Sequence, residues 1–117
     1  MPSDLATTAR AALDRCGAQL GGGDGPSVTA RSPITGEDLF AVPALDAAGV
    51  EDAIGRAEAA FLEWRTVPAP VRGALVKRYG SLLGEHLEDL ADLVQIEVGK
   101  IRAEARGEVQ ELSLIHI

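Results

Sequence analysis

The sequence predicts an α+β fold with an N-terminal helix, a β-hairpin and then three or four amphipathic helices. Three observations predict it. Apolar residues recur at helical spacing near the N-terminus and again throughout residues 47–111. Between these two stretches, two short strand-like runs flank a segment rich in turn residues. The 117 residues are enough for one small domain with a modest core.

The first predicted element is a helix within residues 1–20. Ser3 is a suitable N-cap, and Asp4 is favoured in the first turn. A glycine-rich linker follows at residues 21–26. The linker is not a phosphate-binding loop, because it lacks a closing Gly-Lys-Ser/Thr and follows a helix rather than a strand. The predicted inner face of the helix carries Leu5, Ala9, Ala12, Leu13, Cys16 and Leu20.

Residues 27–43 predict the hairpin. Its strand candidates are residues 28–31, "VTAR", and residues 38–42, "DLFAV". Between them, "SPITGED" carries strong turn signals at Pro33 and Gly36. An isolated hairpin is marginally stable in water, so we expect it to pack against a larger element.

The helices that follow have clear start and stop signals. Asp46 is the predicted N-cap of the first, and "TVPAP" ends it at residues 66–70. Pro70 fits the first turn of the next helix, and Gly84 predicts a bend within "GEHLED". The apolar stripe of the first of these helices is Val50, Ile54, Ala57, Phe61 and Trp64.

The pattern resumes at Leu87 and is predicted to end at Gly99, a residue that tolerates the left-handed conformation after a helix. A last helix is predicted to begin near Ile101 and to be still running at Glu111.

The charge distribution argues against nucleic acid and anionic membrane as partners. The net charge is −7, and the Lys and Arg residues are scattered singly among acidic residues. Aromatic residues make up only 3% of the chain, too few for a base-stacking platform. The one cysteine excludes an internal disulfide and fits a reducing compartment. With no secretory signal and no membrane-spanning run, we expect a cytoplasmic protein.

Cys16 and His86 are the first two residues to test for chemistry. Cys16 is a nucleophile candidate, but a buried, inert thiol on the inner face of the first helix is favoured, since sequence spacing signals no activating partner. His86 is favoured as a solvated histidine at a helix end, because no second His or Cys lies at metal-ligand spacing. No metal site is therefore expected.

Glu108 and Glu111 are three residues apart and share one face of the last helix. They could act as paired carboxylates, although an exposed acidic face is the more common meaning of such a pattern.

The chain resembles the N-terminal quarter of the aldehyde dehydrogenases over residues 28–111. The resemblance rests on "SPITGE" in the hairpin, "AAFLEW" at the end of the next helix, "PAPVRG" at the start of the one after it, and "EVGK" at residues 97–100. The segments "VPAPVRG" and "GEVQE" are most similar to the antiquitin-like branch, which oxidises aminoadipate semialdehyde and piperideine-6-carboxylate.

The resemblance implies a parent enzyme in which residues 27–111 begin an NAD(P)-binding domain of α/β fold. A catalytic Cys, a general-base Glu, an oxyanion-binding Asn and the pyrophosphate-binding turn would all lie downstream. We therefore expect no catalytic or cofactor-binding residue in this chain, and no NAD or NADP bound by it alone. In the parent, an aldehyde substrate, NAD or NADP and a homo-oligomer are implied. The last helix would approach the substrate, with Glu111 favoured over Glu108 as a contact for a substrate amino group.

The tail "LSLIHI", residues 112–117, departs from the pattern before it. Read back through the genetic code, it can be encoded by the transposase mosaic-end adapter used in sequencing libraries. We predict a non-native tail on a truncated reading frame, with no role for His116. An edge strand or a short anchor is the biological alternative.

A function of another class also fits the residues. The chain would then be a complete, acidic, helical interaction domain whose apolar stripes dock a partner and which has no enzymatic activity.

Overall fold

The computed structural model describes residues 4–21 and 25–114, without the side chains of residues 113 and 114. It confirms the α+β class. In chain order the elements are α1 (Asp4–Arg15), β1 (Ser27–Arg31), β2 (Asp38–Pro43), α2 (Ala47–Trp64), α3 (Ala69–Glu85), α4 (Leu87–Val98) and α5 (Arg102–Leu114). None of the described helices is both long and apolar enough to cross a bilayer.

The predicted extension of the first helix to residue 20 is wrong, because α1 ends at Arg15. Gly17 adopts φ +70°. Its N–H donates to Asp14 O, and the N–H of Ala18 donates to Leu13 O. This pair of hydrogen bonds around a left-handed glycine is the Schellman arrangement that closes helices. Ser3, the predicted N-cap, and residues 22–24 of the linker lie outside the described residues.

The hairpin is confirmed. The strands β1 and β2 pair antiparallel, from Ser27 opposite Pro43 to Arg31 opposite Asp38, with one irregularity beside Ala30. Leu39 of β2 is buried in a small core with Ala6, Ala9 and Ile96. The larger support that the hairpin requires is therefore supplied by α1 and α4.

The predicted signals between residues 46 and 99 are confirmed. The Asp46 carboxylate accepts a hydrogen bond of 2.8 Å from the N–H of Gly49 at the start of α2. Pro70 lies in the first turn of α3. The bend falls at His86, between α3 and α4. Gly99 follows α4 with φ +78°, and its N–H donates to Gln95 O.

Helix α4 is the centre of the packing. Its Ala91 is fully buried against Ala105 and Val109 of α5. Small side chains at this contact allow the two helices to approach closely, while Ile96 on another face of α4 packs toward α1. Helix α3 packs against α5.

Helix α2 forms as predicted, but its apolar stripe is exposed. No residue of α2 is buried. Ile54 and Phe61 are each 57% exposed, and Trp64 is 40% exposed. On α3, Leu75 is 58% exposed. In the described part of the chain, the stripes of α2 and α3 therefore do not cover one another.

The last helix is running at Glu111, as predicted, and α5 continues through Leu114. Neither Gly nor Pro interrupts "ELSL", and Leu propagates a helix well. Residues 112–114 are helical, so they do not form an edge strand. Residues 115–117 lie outside the described residues, and the adapter origin of the tail stays a prediction.

Candidate functional site

The "SPITGE" motif builds the turn of the hairpin. Ser32 is 1% exposed. Its Oγ accepts a hydrogen bond of 3.2 Å from the N–H of Ile34. On the backbone, the Ser32 N–H donates to Glu37 O at 3.0 Å, and the Gly36 N–H donates to Ser32 O at 2.8 Å. Gly36 has φ +76°, which favours glycine. The motif residues at this turn are thus structural.

The turn meets the second motif, "EVGK", in space. A Cβ added to Gly99 would lie 3.2 Å from Pro33 Cγ. Gly99 therefore allows both the left-handed backbone conformation at the end of α4 and the close approach of the hairpin turn. Two motifs that are more than sixty residues apart in sequence form one contact, and Lys100 directly follows Gly99 beyond the end of α4.

Lys100 pairs with Glu108 beside a surface groove. The Lys100 Nζ donates to the Glu108 carboxylate. This hydrogen bond is the main cause that raises the pKa of Lys100, with Glu104 and Glu111 adding weaker attraction. The groove has a volume of about 410 Å³ and lies between α4 and α5. It is lined by Val94, Val98, Lys100, Glu108, Val109 and Leu112.

Both predicted substrate contacts belong to the helix that forms this groove. Glu108 lines it, with its charge compensated by Lys100. Glu111 is exposed and lies close enough to Lys100 to raise its pKa. Neither the ion pair nor the groove was predicted from the sequence, because Lys100 and Glu108 are eight residues apart, which is not the spacing of paired residues on a helix.

The structure brings Cys16 and His86 together, with Asp89 as a third member. One ligand-capable atom of each lies within 4.8 Å of the other two. Cys16 is half-buried just beyond α1, not on its inner face. Burial, followed by the negative charge of Asp89, raises the pKa of Cys16, and the positive charge of Arg15 opposes this. Sequence spacing signalled no partner, because Cys16 and His86 are far apart in the chain.

Ion pairs tie α4 to its neighbours. Arg15 Nε donates to Asp89 Oδ1 at 2.6 Å, joining α1 to α4. Arg102 of α5 pairs with Asp92 and with Glu88, the latter at 2.6 Å, and Glu88 also accepts from Arg106 at 3.0 Å. Because these pairs are partly exposed, each contributes little to stability.

The described residues do not fit a dinucleotide. Such a cofactor binds at the carboxyl ends of parallel strands, where a glycine-rich turn leads into a helix N-terminus. Within residues 4–21 and 25–114 the only sheet is a two-stranded antiparallel hairpin. The helix that follows it, α2, begins with Asp46 as its N-cap rather than with a glycine-rich turn.

Comparison with known proteins places these motifs in a family. Residues 22–116 match the Aldehyde dehydrogenase family. The chain is 47% identical to Malonate-semialdehyde dehydrogenase 2 of Geobacillus thermodenitrificans over 79 residues, which are 68% of this chain and 16% of that protein. It is 39% identical to the Alpha-aminoadipic semialdehyde dehydrogenase of Rattus norvegicus over 90 residues, 77% of this chain and 17% of that protein.

A plant relative extends the comparison. The chain is 39% identical to Aldehyde dehydrogenase family 7 member A1 of Pisum sativum over 89 residues, which are 76% of this chain and 18% of that protein. The aminoadipic relatives agree with the branch that the sequence resembles, and the malonate-semialdehyde dehydrogenases are relatives that the resemblance did not name. The chain spans less than a fifth of the length of these relatives. With its motifs built into the hairpin turn and the end of α4, the chain belongs to the aldehyde dehydrogenase family.

Proposed function

We propose that the chain is the N-terminal portion of an NAD(P)-dependent aldehyde dehydrogenase that oxidises an aldehyde to a carboxylate. The family match over residues 22–116 is the observation that carries the proposal. The same proposal holds that the 117 residues are inactive alone, since the catalytic residues and the cofactor-binding turn of the family would lie downstream. It places the parent in the cytoplasm as an oligomer.

The exposed surface supports this proposal. The chain exposes 8255 Å². A folded monomer of its mass of 12.2 kDa exposes about 6,100 Å². Its radius of gyration is 17.0 Å, against about 13 Å for a compact domain of this length. The excess surface includes the apolar stripes of α2 and α3, which would pack against the rest of an enzyme.

The substrate class that we propose is a semialdehyde. The names of relatives as different as malonate-semialdehyde and alpha-aminoadipic semialdehyde dehydrogenases share that word. Glu111, exposed beside the α4–α5 groove, is the residue that we assign to an amino-bearing substrate.

The first experiment follows the reading frame. The DNA beyond codon 111 is read from an independently assembled genome sequence. The continued chain is then expressed and assayed for reduction of NAD or NADP with malonate semialdehyde and with an amino-bearing semialdehyde. Turnover of a semialdehyde supports the proposal. A genuine stop codon soon after residue 111 contradicts it.

A second experiment tests the chain itself. Purified residues 1–117 should reduce neither NAD nor NADP in the presence of an aldehyde. The Cys16→Ser variant is the matched control. Turnover by the wild-type chain that this substitution abolishes would contradict the proposal and assign a catalytic role to Cys16.

The alternative is a complete interaction domain with no enzymatic activity. The exposed apolar face of α2 favours it to the same extent, because a docking surface also leaves such residues uncovered in the free protein. The reading frame beyond residue 111 and the sharpness of thermal unfolding of the isolated chain separate the two functions.

A further inference from the structure

Three side chains with metal-binding atoms meet where α1 ends and α4 begins. His86 lies at the junction of α3 and α4, and Asp89 follows three residues later in the first turn of α4. Cys16 follows the last residue of α1. All three are half-buried, and one ligand-capable atom of each lies within 4.8 Å of the others.

We propose that Cys16, His86 and Asp89 bind a zinc ion. Zinc accepts thiolate, imidazole and carboxylate ligands together, and a site with three protein ligands leaves the fourth tetrahedral position to water. Softer or harder metals would each match only part of this set, because a carboxylate is hard and a thiolate is soft. On binding, a Zn–S bond forms at Cys16 and the thiol proton passes to solvent.

The three positions are held together by the fold. Helix α1 packs against α4. Arg15 Nε donates to Asp89 Oδ1 at 2.6 Å, which fixes the carboxylate beside Cys16. A carboxylate has two oxygens, so this hydrogen bond leaves Asp89 able to bind a metal. Such supporting contacts orient the ligands of metal sites.

Zinc binding requires the three ligand atoms to move only slightly closer together. Ligand atoms of a tetrahedral zinc lie about 3.5 Å apart, given bonds of about 2.0–2.3 Å. The separations of up to 4.8 Å shorten to this value through side-chain rotation. Cys16 lies beyond the end of α1 and His86 between two helices, so neither side chain is confined within a helix.

Zinc would join two parts of the chain that are seventy residues apart. Closing so long a loop with a metal stabilises the folded state, because binding occurs to the assembled site and not to the unfolded chain. The inference concerns this junction and does not depend on the proposed oxidation of an aldehyde.

Cobalt(II) is the probe that tests the site. The full 117-residue chain, reduced and freed of metal, is titrated with Co²⁺, and the thiolate-to-cobalt charge-transfer absorption is recorded. Because Cys16 is the one cysteine of the chain, that absorption reports on this residue alone. We expect the band to appear at one equivalent and to be displaced by Zn²⁺, and the helical circular dichroism to persist to a higher temperature with metal than without it.

Matched variants make the test specific. Asp89→Asn and Arg15→Gln both break the ion pair between α1 and α4, but only the first removes a proposed ligand. We expect Asp89→Asn and His86→Gln each to weaken Co²⁺ binding more than Arg15→Gln, which removes only a supporting contact and should cost about tenfold. His116→Gln should leave the affinity unchanged. Far-UV circular dichroism establishes that each variant keeps its helices.

Three results would contradict zinc binding by these residues. Absence of a thiolate band in the wild-type chain would overturn the proposal. Equal affinity of the wild-type chain, His86→Gln and Asp89→Asn would also overturn it, because the metal would then bind Cys16 adventitiously. Equal loss in Arg15→Gln and Asp89→Asn would assign the effect to the ion pair and contradict a ligand role for Asp89.

Discussion

At Cys16, burial opposes ionisation. Loss of hydration disfavours the thiolate, the nearby Asp89 carboxylate repels it, and Arg15 only partly offsets both effects. The folded chain therefore holds the thiol proton more tightly than the unfolded chain does. The resulting stability is fully present below the unfolded-state pKa and is lost as the pH rises through the higher folded-state pKa.

Alkylation measures this shift directly. In EDTA at pH 8, iodoacetamide should react more slowly with the folded chain than with the chain unfolded in urea, because less of the thiol is ionised. The midpoint of the rate–pH profile should also be higher for the folded chain. That midpoint separates ionisation from simple shielding, which would slow the reaction without moving the midpoint. Equal midpoints would contradict the prediction.

Glu111 and Glu108 form a matched pair for testing substrate recognition in the full-length enzyme. Glu108 already pairs with Lys100. Glu111→Gln should lower kcat/KM more for an amino-bearing semialdehyde than for a plain aliphatic aldehyde, because only the former offers an ammonium for a charge-assisted hydrogen bond. Glu108→Gln should affect both substrates alike. Equal losses from Glu111→Gln would show that this carboxylate is structural.

At the scale of elements, the helix ends show which structural features could be predicted from the sequence. Asp46, Pro70 and Gly99 each act locally, through a hydrogen bond or a backbone preference that the residue itself carries, and each was predicted correctly. Gly17 carries the same signal as Gly99, but apolar periodicity up to Leu20 outweighed it in the prediction.

The candidate sites were less predictable than the elements. The contact of Gly99 with Pro33, the pairing of Lys100 with Glu108, and the cluster around Cys16 each join residues whose spacing is set by tertiary packing. No local propensity determines such distances. The sequence indicated the individual residues of these sites, and the packing of α1, α4 and α5 determined their partners.

Two glycine substitutions test the end of α4 against a helix interior. Gly99→Ala should weaken the α4 terminus by about 1–2 kcal/mol, because alanine is disfavoured at φ +78° and its Cβ would press on Pro33. Amide hydrogen exchange near residues 95–100 should accelerate about 5–30-fold. Gly55→Ala is the control: its Cβ meets nothing within 4 Å. It should slow exchange in α2, since alanine favours a helix interior by about 0.5–1 kcal/mol. Slower exchange in both variants would contradict the role of Gly99.

At the scale of the whole molecule, the core is small for the length of the chain. Apart from Ala12, the buried apolar residues of the described part of the chain fall into two clusters, one under the hairpin and one between α4 and α5. Most of their members are alanines. Each large apolar side chain left exposed forgoes about 1.5–3 kcal/mol of burial. Val50, Ile54 and Phe61 on α2 are each about half exposed, so together they forgo about 2–5 kcal/mol. That is a large fraction of the total stability of a small domain, about 5–15 kcal/mol.

The isolated 117-residue chain should therefore be helical but loosely packed and prone to associate. We expect helical far-UV circular dichroism, binding of a hydrophobic dye, and thermal unfolding without a sharp transition. Phe61→Gln should reduce dye binding, whereas Glu58→Gln, at another exposed position on α2, should not.

Deleting residues 112–117 tests how far the tail contributes to association. Leu112 is 51% exposed. The segment contains no Asp, Glu, Lys or Arg, and an apolar segment without such charges favours self-association. The deletion should shift light scattering toward monomer and cost no more helix than the last turn of α5. A wild-type chain that is monodisperse and melts in one steep transition would contradict loose packing. A self-contained fold with exposed α2 and α3 faces would then favour the interaction domain over a portion of an enzyme.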